Sequence, residues 1–303
     1  MALFKYLDPK NDIAFKKIFG TEKNKDILLH FLNDILGFSE DQSIVDIEFL
    51  SPILAPKIAV KKQSIVDVLC KDKLGTKYII EMQVTKTRGF EKRAQYYASQ
   101  VYGNQANIGD EYHELKEIIF IAIADCIIFP NKSQYKSDHV ILDKETHEHD
   151  LKDFSFTFIE LPKFHKSKEE LSSIEEKWYY FFKHAHETTE EELQEMIGGD
   201  TIIHRAYTAL DQYYWTDNEL ATYEELKRIH MDNKAALAQQ IYEAEVNAKN
   251  AKAEGEAIGI EKEKIQTVKR LLQAGCGIDL IVQATNLPRE QVESLKDKEL
   301  FVA

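Results

Sequence analysis

Two neighbouring apolar segments of the sequence contain acidic side chains at positions where the core of a sheet normally excludes charge. Asp67 stands between Val66 and Val68 in SIVDVLCK, and Glu81 lies in KYIIEMQV, two residues before Gln83. An unpaired carboxylate costs several kcal/mol to bury. We therefore expect the two acids to be paired with a cation, protonated or bound to a metal ion.

The two segments flank the turn sequence DKLGT and are predicted to form a β-hairpin. If the turn is centred on Leu74, Asp67 lies directly opposite Glu81, with Cβ atoms roughly 4.5–5.5 Å apart. Gln83 then points to the same face as Glu81 because side chains alternate along a strand. A divalent cation such as Mg²⁺ would relieve the repulsion between the acids. Two alternatives remain: a register shifted by one residue, or exposed acids that only increase solubility.

Helical and alternating patterns along the chain predict an α/β fold with a mixed central sheet flanked by helices, followed by an all-helical C-terminal region. Helices are predicted in NDIAFKKIFG, in NKDILLHFLNDILG and over residues 89–107. Strands are predicted at 43–50, 64–71, 77–84, 115–129, 137–145 and 154–162. After Pro162 the pattern is helical, and it is nearly continuous from Asn218 to about Gln273. The last residues predict a helix-turn-helix-like unit with a small core of Ile278, Ile281, Val282, Leu287, Val292 and Leu295.

The composition indicates a cytoplasmic protein without membrane spans. Among 303 residues, 44% are hydrophobic and the 3 cysteines are scattered, which fits a reducing compartment. The start of the sequence lacks the pattern of a secretion signal, and no apolar run is long enough to cross a bilayer. The net charge of -13 counts against a surface that is basic throughout, but it permits one local basic cleft.

The motif D-x13-E-x-Q, with the helices DPKNDIAFKKIFG and FEKRAQYYASQVYGNQ, resembles the PD-(D/E)xK nuclease superfamily. Within it, the chain is similar to the recombination-promoting nuclease (Rpn)/putative transposase family of bacteria over nearly its whole length. The resemblance implies a restriction-endonuclease-like core. We expect four parts: a nuclease-like core at 1–165, a helical extension at 166–217, a long helical stem or linker at 218–264, and the helix-turn-helix-like unit at 265–303.

The resemblance also implies Mg²⁺-dependent DNA cleavage, with Mn²⁺ as a possible substitute. Asp67 and Glu81 would be catalytic metal ligands, and Gln83 would take the catalytic position where many members of the superfamily have lysine. An amide can orient water or coordinate through its oxygen, but it cannot neutralise phosphate charge. Asp12 is a candidate third metal ligand, although helix capping also explains an aspartate there. Glu48, on the strand before the hairpin, has a similar status.

Cationic, aromatic and amide side chains follow the second acidic segment and are candidates for binding DNA. They are Arg88, Arg93, Tyr97 and Gln100. The last three share one helix face and could hold phosphates and stack on bases. The alternative is an amphipathic helix that packs its tyrosines on the sheet. The histidine pairs 147/149 and 184/186 do not have the spacing of a zinc site.

The leading hypothesis is a metal-dependent DNA endonuclease of recombination-promoting or transposase-like type. The first alternative is a catalytically inactive nuclease fold that binds DNA or protein, which the amide at position 83 would permit. A second alternative is a helical oligomeriser, since the C-terminal helices could form a homo-oligomer. In the terminal unit only Arg289 and Gln291 suit contact with bases, so we favour a regulatory or protein-contacting role there.

Overall fold

The computed structural model describes residues 5–54, 64–106 and 111–300 of the chain. The helices are α1 (Asp12–Phe19), α2 (Lys25–Leu36), α3 (Phe90–Gly103), α4 (Ile174–His184), α5 (Glu190–Ile197), α6 (Thr201–Leu210), α7 (Asp217–Gln273), α8 (Ile278–Thr285) and α9 (Arg289–Leu300). The strands are β1 (Ile47–Phe49), β2 (Ile53–Leu54), β3 (Ser64–Ile65), β4 (Val68–Asp72), β5 (Lys77–Gln83), β6 (Ile118–Ala124), β7 (Lys136–Val140) and β8 (Phe154–Glu160).

Six strands form one mixed sheet in the order β1-β4-β5-β6-β8-β7. The contacts of β5 with β6 and of β6 with β8 are parallel, and the other pairs are antiparallel. Every residue of β6 is buried, as expected for a central strand covered on both faces. The predicted α/β fold with a mixed sheet flanked by helices is confirmed.

Helices cover both faces of this sheet. One face contributes Val68, Ile80 and Ile121 to a large aromatic core together with residues of α1, α2, α4 and α6. The other face, which contains Ile79 and Phe120, packs against α3. Because side chains alternate along β5, Glu81 lies on the α3 side, on the same face as Ile79.

The first predicted strand is shorter than expected, because β1 covers only residues 47–49 of the predicted 43–50. Asn33 of α2 explains the difference. Its side chain accepts a hydrogen bond from the Ile44 N–H at 2.7 Å and donates one to the Ile44 carbonyl at 2.9 Å. These two bonds occupy the backbone groups that a longer β1 would have offered to a neighbouring strand.

The chain divides into two compact units, residues 1–228 and 229–303. In the first unit, the beginning of α7 contributes Tyr223 to the large core. In the second unit, α7 is exposed throughout residues 231–263, and then Val268, Ile281 and Val292 form a small core with α8 and α9. The predicted terminal core is confirmed. The four-part domain division stays a prediction.

The helices in the described ranges include none that combines the length and the apolar character needed to cross a membrane.

Candidate active site

The β4–β5 hairpin has the register that the turn sequence predicts. Val68 pairs with Ile80 and Lys71 pairs with Lys77, so the turn is centred on Leu74. Asp67 directly precedes β4, and its side chain is 20% exposed, whereas Glu81 in β5 is 6% exposed. Asp67 and Glu81 therefore lie opposite each other, at the end of the hairpin that is distant from the turn.

Each carboxylate accepts a hydrogen bond from the backbone of the opposite segment. The Asp67 N–H donates to Glu81 Oε1 at 3.1 Å, and the Met82 N–H donates to Asp67 Oδ2 at 2.8 Å. The predicted strand 64–71 is divided at this point, because β3 pairs with β2 in a separate two-stranded sheet and β4 pairs with β5 in the six-stranded sheet. Neither bond uses the second oxygen of its carboxyl group, and within the described residues no hydrogen bond reaches that oxygen in either acid, although Lys16 Nζ is 3.9 Å from Asp67 Oδ1.

Burial, and secondly the adjacent charge of Asp67, raise the pKa of Glu81 to about 8. Burial also raises the pKa of Asp67, an effect that the hydrogen bond from Met82 and the charge of Lys16 oppose. Arg93 lowers the pKa of both acids. The nearby cations therefore compensate only part of the negative charge of this pair.

Lys16 of α1 lies between Asp12 and the acid pair. Its Nζ is 2.7 Å from Asp12 Oδ1 and 3.9 Å from Asp67 Oδ1. The capping explanation for Asp12 is wrong, because the cap of α1 is Asn11, whose side chain accepts from the Ile13 N–H. Asp12 is half exposed and bound to a lysine, and its role as a metal ligand stays a prediction.

Asp67 and Glu81 fit a hard divalent cation by donor chemistry. They are oxygen ligands, they are largely buried, and their mutual repulsion would be relieved by a positive charge. In the part of the chain that the structure describes, no group of three or more His, Cys, Asp or Glu side chains is arranged to hold a metal. Glu48 of β1 is not part of the acid pair. It lies opposite Lys71 of β4 and forms an exposed ion pair with it at 3.0 Å. Water and backbone carbonyls are the usual further ligands of such a cation.

The Gln83 amide is fixed through both of its polar atoms. Its Nε2 donates to the carbonyl of Thr85, and its Oε1 accepts from Nη2 of Arg93 on α3. The guanidinium of Arg93 also lies over the ring of Phe90, at 4.8 Å from the centroid, and 5.9 Å from that of Tyr97. The amide at position 83 is therefore bound to an arginine of the neighbouring helix.

The structure brings together two of the four candidate DNA-binding residues. Arg93 and Tyr97 face the acids, whose charges raise the pKa of Tyr97 in addition to the effect of burial. Gln100 lies one turn further along α3, where its Nε2 donates to the Tyr96 hydroxyl at 3.0 Å. Arg88 is exposed in the segment between β5 and α3. Their contacts with DNA stay predictions.

Sequence reasoning did not identify Lys16, although it is close to Asp67. The available signal was its position four residues after Asp12 on α1, which places both side chains on one helix face. His147 and His149 lie between β7 and β8, His184 is the last residue of α4, and His186 follows it.

The chain matches a known protein family. Residues 9–240 match the family model described as PD-(D/E)XK nuclease family transposase, which covers well over half of the chain. The matched region contains both acids, Gln83 and all of α3. No curated protein and no solved structure matches the chain. With a mixed sheet, two buried acids on one hairpin and this match, the chain belongs to the PD-(D/E)XK nuclease family transposases.

Proposed function

We propose that this protein is a Mg²⁺-dependent DNA endonuclease that hydrolyses phosphodiester bonds in a recombination-promoting or transposase-like role. The observation that carries the proposal is the Asp67–Glu81 pair. Two carboxylates lie side by side, largely buried, on a hairpin within the region that matches the nuclease family.

The protein holds the carboxylates of Asp67 and Glu81 in fixed positions and concentrates their negative charge in one place. Backbone hydrogen bonds at 3.1 and 2.8 Å hold both carboxylates, so the acids need no rearrangement before substrate arrives. Mg²⁺, or Mn²⁺ in its place, would supply electrophilic stabilisation of the phosphate and a lower pKa for the attacking water. Asp67 and Glu81 would hold it, and Asp12 is a further candidate beyond Lys16.

The α3 side of the site supports DNA as the substrate. Arg93 and Tyr97 combine a cation with an aromatic ring next to the acids, and Arg88 is exposed at the start of the same helix. Phosphate contacts require such local positive charge because the chain as a whole has a net charge of -13. Gln100, one turn further along α3, extends the same row of polar side chains.

A catalytically inactive module that binds DNA or protein is the second candidate. It is favoured by the amide at position 83, since an amide cannot supply the charge of a lysine. Metal dependence of product formation separates the two candidates.

The test is nicking and linearisation of supercoiled plasmid in Mg²⁺ and in EDTA. Asp67→Asn and Glu81→Gln retain an oxygen that can accept the observed backbone hydrogen bonds, so both variants should fold. We expect each to lose more than about 100-fold in rate, because even residues that only support metal ligands contribute 10–100-fold. Glu48→Gln, which removes an acid from the same sheet, should cleave normally. Undiminished cleavage in EDTA, or normal nicking by both site variants, would refute the proposal.

A further inference from the structure

Arg93 occupies an unusual electrostatic position beside the acid pair. Its charge acts on both Asp67 and Glu81, yet within the described ranges it forms no ion pair with either of them at 4.0 Å or less. Its Nε is buried, and among the described residues no hydrogen-bond partner reaches it. A buried donor of this kind is costly unless a ligand uses it.

The surroundings of Arg93 hold the guanidinium in place without neutralising it. Gln83 Oε1 accepts from Nη2, and the Phe90 ring lies 4.8 Å below the guanidinium carbon. Both contacts are with uncharged groups, so neither of them neutralises the guanidinium. An arginine is suited to such a site because its planar fork can donate two hydrogen bonds to one phosphate.

From this geometry, and resting on the proposed function, we infer that Arg93 is a catalytic residue that binds the scissile phosphate of DNA and that Gln83 is the residue that positions it. Arg93 then supplies the positive charge that related nucleases obtain from lysine two residues after the glutamate. Charge that develops on the phosphate oxygens during hydrolysis would be stabilised by the guanidinium.

The inference also explains the amide at position 83. A lysine there would place a second cation against the guanidinium and would remove the acceptor that Nη2 uses. Glutamine provides the acceptor without adding charge, and its other end is anchored on the Thr85 carbonyl. In this arrangement an amide at position 83 is compatible with activity.

The experiment compares four variants with the full-length wild-type protein: Arg93→Gln, Gln83→Lys, the double variant Gln83→Lys/Arg93→Gln, and Lys92→Gln. Lys92 is the matched control, since it is the exposed neighbour of Arg93 on α3. Plasmid cleavage is measured in Mg²⁺. Affinity for a labelled DNA duplex is measured in EDTA between about 50 and 200 mM salt. Circular dichroism and thermal unfolding confirm that each variant folds.

We expect Arg93→Gln to lose roughly 10²–10³-fold in cleavage rate, as for removal of one donor to a developing oxyanion. The slope of log affinity against log salt should fall by about one, the change expected for one lost phosphate contact. Gln83→Lys should also lose activity, and the double variant should recover at least about tenfold over Arg93→Gln, because a cation is restored beside the phosphate. Lys92→Gln should cleave as the wild type does.

Wild-type cleavage by Arg93→Gln would overturn the inference, and so would a folded double variant that is no more active than Arg93→Gln. An unchanged salt slope in Arg93→Gln would also overturn it. If the wild-type protein itself fails to cleave, the proposed function fails, and the salt slope still decides whether Arg93 binds phosphate. Loss of cleavage in Asp67→Asn with full activity in Arg93→Gln would refute only the inference.

Discussion

The Asp67 backbone N–H donates to the Glu81 carboxylate at 3.1 Å, while the Asp67 carboxylate accepts from the residue that follows Glu81. The two acids are thus bound to each other's strands, and the geometry of the acidic pair is part of the hairpin fold. The pair is held together although its charges repel. The energetic cost of this arrangement should be measurable in the metal-free protein.

Stability of the metal-free protein should fall with rising pH because of Glu81. Its pKa is raised from an ordinary value of 4.5 to about 8, so the folded state holds this proton more tightly than the unfolded chain does. The resulting stabilisation is complete below pH 4.5 and is lost as pH rises toward 8. We expect the urea midpoint in EDTA to decrease over this range, and Glu81→Gln to reduce the decrease. An identical pH profile for the variant would contradict the assignment to Glu81.

Removing the charge of Lys16 should strengthen the binding of a divalent cation to the acid pair. Its Nζ lies 3.9 Å from Asp67, and it is partly exposed, so its repulsion of a bound cation is screened to about 1 kcal/mol or less. Lys16→Met should therefore tighten binding by up to about fivefold, measured by calorimetry with Mg²⁺ or Mn²⁺. Lys23→Met, which removes the same charge at an exposed position, is the control. Weaker binding by Lys16→Met would show that the lysine supports the site in another way.

The hairpin register could be predicted from the sequence because a short turn leaves little freedom to the strands that it connects. Knowing only that Leu74 is at the centre places Asp67 opposite Glu81. The boundaries of β1 could not be predicted in this way. Ile44 fits a strand pattern, but its backbone groups bind Asn33, which is eleven residues away in sequence and reaches it only after α2 has packed.

The importance of Asn33 can be tested through stability. Asn33→Ala leaves the N–H and carbonyl of the buried Ile44 without these partners, and each such group costs about 1–3 kcal/mol. We expect the free energy of unfolding to fall by about 2 kcal/mol in urea titration. Asn247→Ala, at an exposed position of α7, should change it by less than about 0.5 kcal/mol. A neutral Asn33→Ala would mean that water satisfies the Ile44 backbone equally well.

The candidate site was predictable only where its members share one element or one hairpin. Spacing alone placed Asp67, Glu81 and Gln83 together, and it placed Arg93 and Tyr97 on one face of α3. The contact between Arg93 and Gln83 depends on how α3 lies on the sheet, where Ala94 and Ala98 are buried in the same core as Ile79 and Phe120. Small residues at these positions allow α3 to approach the sheet closely. The orientation of α3 on the sheet cannot be inferred from a local sequence pattern.

The C-terminal unit should be dispensable for cleavage and for DNA affinity. In α9, Arg289 is bound to Asp279 at 2.8 Å and to Glu293 at 3.0 Å, so its charge is already used within the unit. Since Tyr223 belongs to the core of the first unit, a truncation must leave the start of α7 intact.

Deleting residues 241–303 satisfies this condition and keeps the whole region that matches the family. We expect the truncated protein to retain metal-dependent cleavage and the salt dependence of duplex binding, while its oligomeric state in light scattering or its choice of target changes. A truncated protein that folds but no longer cleaves or binds would show that the unit serves the active site directly.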